Sequence, residues 1–249
     1  MINTVLIEKY KNATNKLILL DYDGTLVDYC PIPEKAIPSE KLLNILIKLV
    51  NKPQTKVIII SGRGHQDIDK LLGHLPIDII AEHGAVIKEN GEWKNQVIYN
   101  SLWKKDVLPL LNRAVLACPK SFIEEKHFSI TWHYRKAKSE SGYVCSRELI
   151  RLLRNIIHLY NLKILDGNKI VEVMGEKIGK GKAVKNIVEK NNYDYILSIG
   201  DDKTDEEMFE FFMHNINAFT IKVGEGDTFA KYKFDDVNKV IMLLEQLSL

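Results

Sequence analysis

The sequence predicts an α/β protein whose main sheet is parallel and which carries a smaller α/β insert. Three observations predict it. Short, mainly apolar runs at residues 17–20, 57–60 and 196–199 end at Asp21, at Ser61 and, after Gly200, at Asp201, as strands buried on both faces of a parallel sheet do. Stretches of helical periodicity follow them. Between about residues 101 and 177 that rhythm gives way to a second set of strands and helices.

The elements follow in order. Helical periodicity over 39–50 and 65–75 succeeds the first two runs, a β-α-β-α opening suited to right-handed crossovers. IDIIA at 77–81 reads as a further strand, and Asn90-Gly91 between AVIKE and EW marks a hairpin turn. In the insert the pattern predicts a helix over 102–117, strands over 121–125 and 128–134, and a helix over 147–160. A strand LKIL, a turn at 166–168 and a strand KIVEVM complete it. After Gly179 helix, strand and helix return, and an amphipathic helix covers 237–247. The predicted division is a core of residues 1–100 and 178–249 with an insert of residues 101–177.

Composition bounds the function. A chain of 249 residues with 45% hydrophobic content can bury one substantial core plus a smaller insert. A formal charge of +2 is too mild for a nucleic-acid or anionic-membrane partner. Cys30, Cys118 and Cys145 are odd in number and lack metal-ligand spacing, which argues against a disulfide framework and for a reducing, cytoplasmic setting. Glu8, Lys9 and Lys11 interrupt any leader-like apolar segment, and no run reaches the roughly 18 apolar residues of a membrane span. Oligomeric state is not encoded in any of these features.

The chemistry concentrates where apolar runs end. Residues 17–26 read LILLDYDGTL. Asp21 and Asp23, two apart in extended chain, are expected to point the same way into the crevice beyond the strands' carboxyl ends. Paired carboxylates repel unless they share a cation or one is protonated, so the stretch predicts a divalent metal, an acid/base pair, or both. Asp21, Gly24 and Thr25 as a plain polar turn is the structural alternative. Residues 57–63, VIIISGR, end in Ser61, which can donate to a phosphate oxygen or cap a helix, and Arg63. Residues 178–183, IGKGKA, place Lys180 and Lys182 at a glycine-flanked helix entrance, and 196–205, ILSIGDDKTD, run into Asp201, Asp202 and Asp205. Thr204 with Glu207 predicts a capping box, which leaves Asp201 and Asp202 unexplained.

In this order the motifs resemble the haloacid dehalogenase (HAD) superfamily of phosphatases, whose members form an aspartyl-phosphate on the first Asp of DxD. The resemblance implies a Rossmann-like parallel-sheet HAD core with a smaller α/β cap inserted between the Ser motif and the Lys motif. It makes Asp21 the nucleophile, Asp23 the general acid and base, and Lys180, rather than Lys182, the cation balancing Asp21 and the phosphoryl group. Mg2+ is the implied cofactor, on Asp21, Asp201 and the main-chain carbonyl of Asp23, with Asp202 and Asp205 in support. Outside these motifs EHGAVIKENGEW at 82–93 and IEEKHFSITWHYR at 123–135 resemble trehalose-6-phosphate phosphatases over nearly the whole chain. Glu124, Lys126, His133 and Arg135 then correspond to cap residues that read the sugar, while Thr25, Arg63, Glu82, His83 and Gly84 complete the expected substrate-binding set. His127 departs from the family, which commonly has a small residue there, often glycine.

The reading implied is phosphatase action on a small sugar phosphate, trehalose 6-phosphate, with another phosphorylated glycoside such as glucosylglycerol phosphate as the competing substrate. Two other classes fit less well. A signalling receiver domain would be much shorter and would carry its acidic pair and its phosphorylated Asp on different strands. A non-catalytic sugar-phosphate binder on the same fold would have lost Asp21, Asp23 or the acidic motif, and none is missing.

Overall fold

Each apolar run that ends in a motif becomes a strand of one sheet. The computed structural model describes residues 2–30 and 33–249. Its chain divides into two compact units, one formed by the described residues up to Gln96 with Gly179–Leu249, the other by Val97–Ile178.

In the larger unit α1 (Ile2–Asn12) precedes β1 (Lys16–Leu20), α2 (Glu40–Val50), β2 (Thr55–Ile60), α3 (His65–Leu72), β3 (Asp78–Ala81), β4 (Val86–Glu89) and β5 (Glu92–Asn95). The Ser39 hydroxyl caps α2 by accepting from Leu42 N at 3.2 Å. α3 stops three residues short of the predicted end, where Gly73 follows Leu72. Asn90 (φ 53°) and Gly91 (φ 82°) turn β4 into β5, as their sequence predicts.

In the smaller unit come α4 (Lys104–Ala117), β6 (Phe122–Glu125), β7 (Ser129–His133), α5 (Ser139–Ile157), β8 (Leu162–Gly167) and β9 (Ile170–Gly175). Its four-stranded antiparallel sheet runs β6-β7-β9-β8. Ile130, Trp132, Val171 and Val173 turn one face to Val107 and Leu111 of α4 and to Leu149 and Leu153 of α5. α5 begins at Ser139, eight residues before the predicted start. Its first turns lack an apolar stripe and are held instead by contact of Gly142 with the Tyr134 ring, where an added Cβ would lie 2.7 Å from Cδ2, and by Ser146 Oγ donating to Tyr143 O at 2.7 Å. The turn predicted at 166–168 falls one residue later, because β8 continues through Gly167 and Lys169 takes the positive φ of 62°.

The larger unit resumes with α6 (Lys180–Val188), β10 (Tyr195–Gly200), α7 (Glu206–Phe212), β11 (Ala218–Val223), β12 (Tyr232–Phe234) and α8 (Val237–Ser248). Its eight strands are ordered β12-β11-β10-β1-β2-β3-β4-β5, parallel from β12 to β3 and antiparallel beyond. Both faces are covered, so successive residues of one strand serve different cores. Ile18 and Leu20 pack with α2 and α8, whereas Leu17 and Leu19 pack with α6 and α7. This explains why the strands read as continuous apolar runs. Strand order reverses at β1, whose neighbours are β2 and β10. The crevice beyond the carboxyl ends of such a pair is where open α/β sheets bind ligands. Among the described residues no helix is long and apolar enough to cross a membrane.

Candidate active site

β1 ends at Leu20, and the chain turns at once. Asp21 N donates to Ile199 O at 3.0 Å, and Leu26 N and Val27 N fold back to Tyr22 O. Gly24 sits in this turn with φ 82°, and a Cβ there would lie 2.3 Å from Asp201 Oδ2. A glycine is thus required twice over, by backbone conformation and by the Asp201 carboxylate resting against it.

Lys180 enters from the first residue of α6. Gly179 and Gly181 let α6 lie directly on α7: a Cβ on either would meet Glu207, its carboxylate at 2.4 Å or its carbonyl at 2.7 Å. Lys180 Nζ donates to Asp21 Oδ1 at 2.7 Å and to Asp205 Oδ1 at 2.8 Å, with all three side chains buried. Lys182 is exposed on the same helix. Asp205 Oδ2 accepts from Asp201 N at 3.0 Å and from Asp202 N at 3.1 Å, so this carboxylate holds the loop after β10 as well as the lysine.

Carboxylate oxygens of Asp21, Asp201 and Asp205 lie within 4.8 Å of one another. Burial drives Asp21 well above the ordinary range, partly offset by Lys180. Burial, then the Asp205 and Asp202 charges, push Asp201 up to about 7. Burial also raises Asp205 against the pull of Lys180. For Lys180 burial opposes the charged form, yet Asp205 and Asp21 outweigh it and its pKa rises. One ammonium therefore faces a surplus of buried negative charge. A hard divalent cation on these all-oxygen donors would relieve it, and the residues fit Mg2+ on that ground.

Asp23 and Asp202 lie outside this group of three. Instead of sharing a partner with Asp21, Asp23 receives Arg63 Nε and Nη2, each at 2.6 Å, and Arg63 also donates to Pro33 O. Of the four carboxylates assigned to the cation, those of Asp21, Asp201 and Asp205 are brought together, while Asp23, assigned there through its main-chain carbonyl, has its side chain on Arg63. Asp202 Oδ1 accepts from Thr204 N and Thr204 Oγ1, each at 2.7 Å. These bonds and Lys180 outweigh burial and lower its pKa. The predicted capping box does not form. Asp205 precedes α7, Thr204 serves Asp202, and Glu207 Oε2 accepts from Gly181 N at 3.3 Å.

Ser61 is buried at the end of β2. It does not cap α3, which Gly64 precedes, and its Oγ accepts from Arg63 N at 3.1 Å. The tight turn Glu82–Gly84 has three successive positive φ values and is tied to this segment, Glu82 N to Arg63 O and His83 N to Ser61 O. Glu82 Oε1 meets His65 Nδ1 at 3.3 Å, and the His83 ring lies against Gly62. Thr25 Oγ1 is buried without a hydrogen-bond partner among the described residues, a donor left for a ligand oxygen.

In the smaller unit Glu124 Oε2 meets His133 Nε2 at 2.7 Å, and Phe122 stacks on His133. Burial opposes the Glu124 charge, but His133 and Lys126 outweigh it and lower its pKa. Lys126 Nζ donates to Glu172 Oε1 at 3.1 Å, which also accepts from Ser129 Oγ at 2.5 Å. Arg135 donates to Asn168 O at 2.5 Å, and His127 stacks on Tyr99 with centroids 4.0 Å apart. Sequence reasoning missed Glu172. Its signal was a single carboxylate inside the apolar strand IVEVM, registered opposite Thr131 on the face away from α4 and α5.

The trehalose-phosphatase family model matches residues 19–238. The chain is 40% identical to an alpha,alpha-trehalose-phosphate synthase [UDP-forming] B of Dictyostelium discoideum, over 97% of this chain and 31% of that protein. It is 39% identical to a bifunctional trehalose-6-phosphate synthase/phosphatase of Thermoproteus tenax, over 96% of this chain and 32% of that protein. It thus spans about a third of the length of these curated relatives. The C-terminal domain of a C. albicans trehalose-6-phosphate phosphatase superposes with a TM-score of 0.93 at 28% identity, covering 100% of this chain and 97% of that one. The architecture is the HAD fold that the strand-end motifs imply. With the match extending from β1 past the last strand of the sheet, the chain belongs to the trehalose-phosphatase family.

Proposed function

We propose that this protein is a Mg2+-dependent phosphatase that hydrolyses trehalose 6-phosphate to trehalose and phosphate through an aspartyl-phosphate on Asp21. The observation that carries the reading is the buried Asp21–Lys180–Asp205 chain beside Asp201 at the topological switch point. A carboxylate attacking a phosphate monoester must overcome like-charge repulsion. Lys180 reduces it at Asp21, and Thr25 Oγ1 and Ser61 Oγ supply donors for phosphoryl oxygens. Bound through Asp21 and Asp201, with Asp205 in support, Mg2+ would neutralise phosphoryl charge.

In the first step an Asp21 oxygen bonds to phosphorus as the bond from phosphorus to the sugar oxygen breaks, and a protonated Asp23 gives its proton to that oxygen. Asp23 must leave its bidentate pair with Arg63 to do so. In the second step Asp23 takes a proton from water, whose oxygen bonds to phosphorus while the bond to Asp21 breaks. Arg63 thereby becomes the keeper of Asp23 between steps rather than a direct substrate ligand.

Residues 101–177 act in this reading as the cap that selects the sugar. Supporting it, Glu124, His133 and Glu172 share the sheet face opposite α4 and α5, and Lys126 and Arg135 add donors next to it. A polyhydroxylated ligand needs such a dense set of donors and acceptors. Three free thiols, Cys30, Cys118 and Cys145, accord with a reducing, cytoplasmic setting.

The test is phosphate release from a panel containing trehalose 6-phosphate, glucosylglycerol phosphate and an aryl phosphate, with Mg2+ and with chelator, for the wild type and Asp21→Asn. The expected result is Mg2+-dependent turnover that prefers trehalose 6-phosphate and is absent in the variant. Turnover in excess chelator, or near-wild-type turnover by Asp21→Asn, refutes the mechanism; preference for glucosylglycerol phosphate refutes the substrate.

A further inference from the structure

A lysine stands where the fold offers it no reason to be. β11 is buried at all six positions, and its neighbours Phe219, Ile221 and Val223 are apolar core residues. Lys222 belongs to the same strand, is itself buried, and pairs in register with Gly200, the last residue of β10. A buried ammonium is tolerated only when paired and hydrogen-bonded. Its partners lie in the acidic loop and at the start of α7: Nζ donates to the main-chain carbonyl of Asp201 and lies 3.6 Å from Glu206 Oε1. Glu206 is itself anchored, its Oε2 accepting from Thr228 Oγ1 at 3.1 Å and Phe229 N at 2.8 Å.

The bond to Asp201 completes a set. Asp205 Oδ2 holds Asp201 N, Lys222 holds Asp201 O, and Gly24 receives the Asp201 carboxylate. Both main-chain polar groups of Asp201 are thus fixed, and with them the direction of its side chain toward Asp21. We propose that Lys222 is a positioning residue of the acidic site, holding the Asp201 carboxylate in place for a divalent cation through the Asp201 main-chain carbonyl. The proposal rests on the cation-binding reading of Asp21, Asp201 and Asp205. A lysine serving only to pin the 228–229 segment through Glu206 would touch the fold and leave cation binding alone.

Calorimetric titration of Mg2+ into metal-stripped protein, alongside thermal unfolding in chelator and in rising Mg2+, separates these roles. Lys222→Met and Lys222→Gln, which lack the reach to the carbonyl, should raise the half-saturating Mg2+ concentration tenfold or more, as loss of partners that orient metal ligands does. Lys222→Arg should return it to within about threefold, and Glu206→Gln, which keeps the carbonyl bond, should change it less than Lys222→Gln does. Should Lys222→Met not fold, the contrast between the Gln and Arg variants decides. Half-saturation unchanged or lowered in Lys222→Gln, whatever its Tm, overturns the proposal. A wild type that gives neither heat nor a Tm shift with Mg2+ overturns the cation-binding reading first, and this inference with it.

Discussion

Replacing Lys180 by Met tests the centre of the site most directly. The side chain fits a similar volume but removes the ammonium that sits 2.7 Å from Asp21 and 2.8 Å from Asp205, all in a buried setting. Breaking a buried pair by removing one partner costs about 3–5 kcal/mol, because a charge is left uncompensated. For a protein of this size that is a fall in Tm of roughly 6–20 °C. The carboxyls can escape part of the cost by binding protons. A carboxyl whose folded pKa is raised, as those of Asp21 and Asp205 are, stabilises in its protonated form. That stability is present below the unfolded value and lost as pH rises through the folded one. The Tm deficit of Lys180→Met should therefore be larger at pH 8 than at pH 5, and added Mg2+ should shrink it at pH 8. Phosphate release should drop by about two to three orders of magnitude, the usual effect of removing one preorganised donor. The measurements are circular-dichroism melts in chelator at both pH values and phosphate release in Mg2+. A variant that melts within 2 °C of wild type, roughly the 1 kcal/mol floor, and turns over within tenfold would refute the assignment of Lys180.

Gly24→Ala should cost about 1–2 kcal/mol for its φ of 82° and displace Asp201, so that melts show a modest loss while the half-saturating Mg2+ rises; an unchanged Mg2+ requirement would contradict the packing described. Glu124 has a lowered folded pKa, so its bond to His133 contributes stability above the ordinary value of 4.5 that is lost as pH falls through the folded one. The Tm gap between wild type and Glu124→Gln, worth about 1 kcal/mol at pH 6, should close as pH falls below 4.5 and through the lowered folded value, and a gap that persists in acid would count against the Glu124–His133 bond. Glu124→Ala and Arg135→Ala should lower kcat/KM for trehalose 6-phosphate strongly while leaving an aryl phosphate nearly unaffected. An equal loss on both substrates would remove these residues from sugar recognition.

The sheet was legible in the sequence because strands buried on both faces are predominantly apolar and stop where the ligand crevice begins. That is why 17–20 and 57–60 are followed by Asp21 and Ser61, and 196–199, after Gly200, by Asp201. Periodicity alone did not reach α5, whose first turns depend on the Gly142–Tyr134 contact, a tertiary feature without a local signature. Local rules also misassigned Thr204 and Glu207, which satisfy capping-box spacing but are drawn to Asp202 and Gly181. The partners of Asp23 and Glu172 lie 40 and 43 or more residues away in the chain, so only the folded chain reveals them. Lys222 left a trace, a charge inside AFTIKV, that pattern reading absorbs as strand polarity.

The two ends of the insert leave and rejoin the larger unit at one spot. Gln96 N bonds to Ala85 O at 2.8 Å, and the carbonyl of Gly179 lies 2.9 Å from where a Cβ on Gly84 would be. To the surrounding chain, residues 97–178 therefore amount to a long detour between adjacent points. Closing a flexible detour of roughly eighty residues rather than ten costs only about 2 kcal/mol more, since each doubling adds about 0.6 kcal/mol. Even that falls away if the insert, whose strand pairs are mostly near neighbours in sequence, orders first and brings its own ends together. During synthesis β1 must wait for β10, about 180 residues later, before it gains its second partner. Evolution could thus lengthen, exchange or replace the segment at these two neighbouring seams while the lysine arriving just after the second seam still meets Asp21.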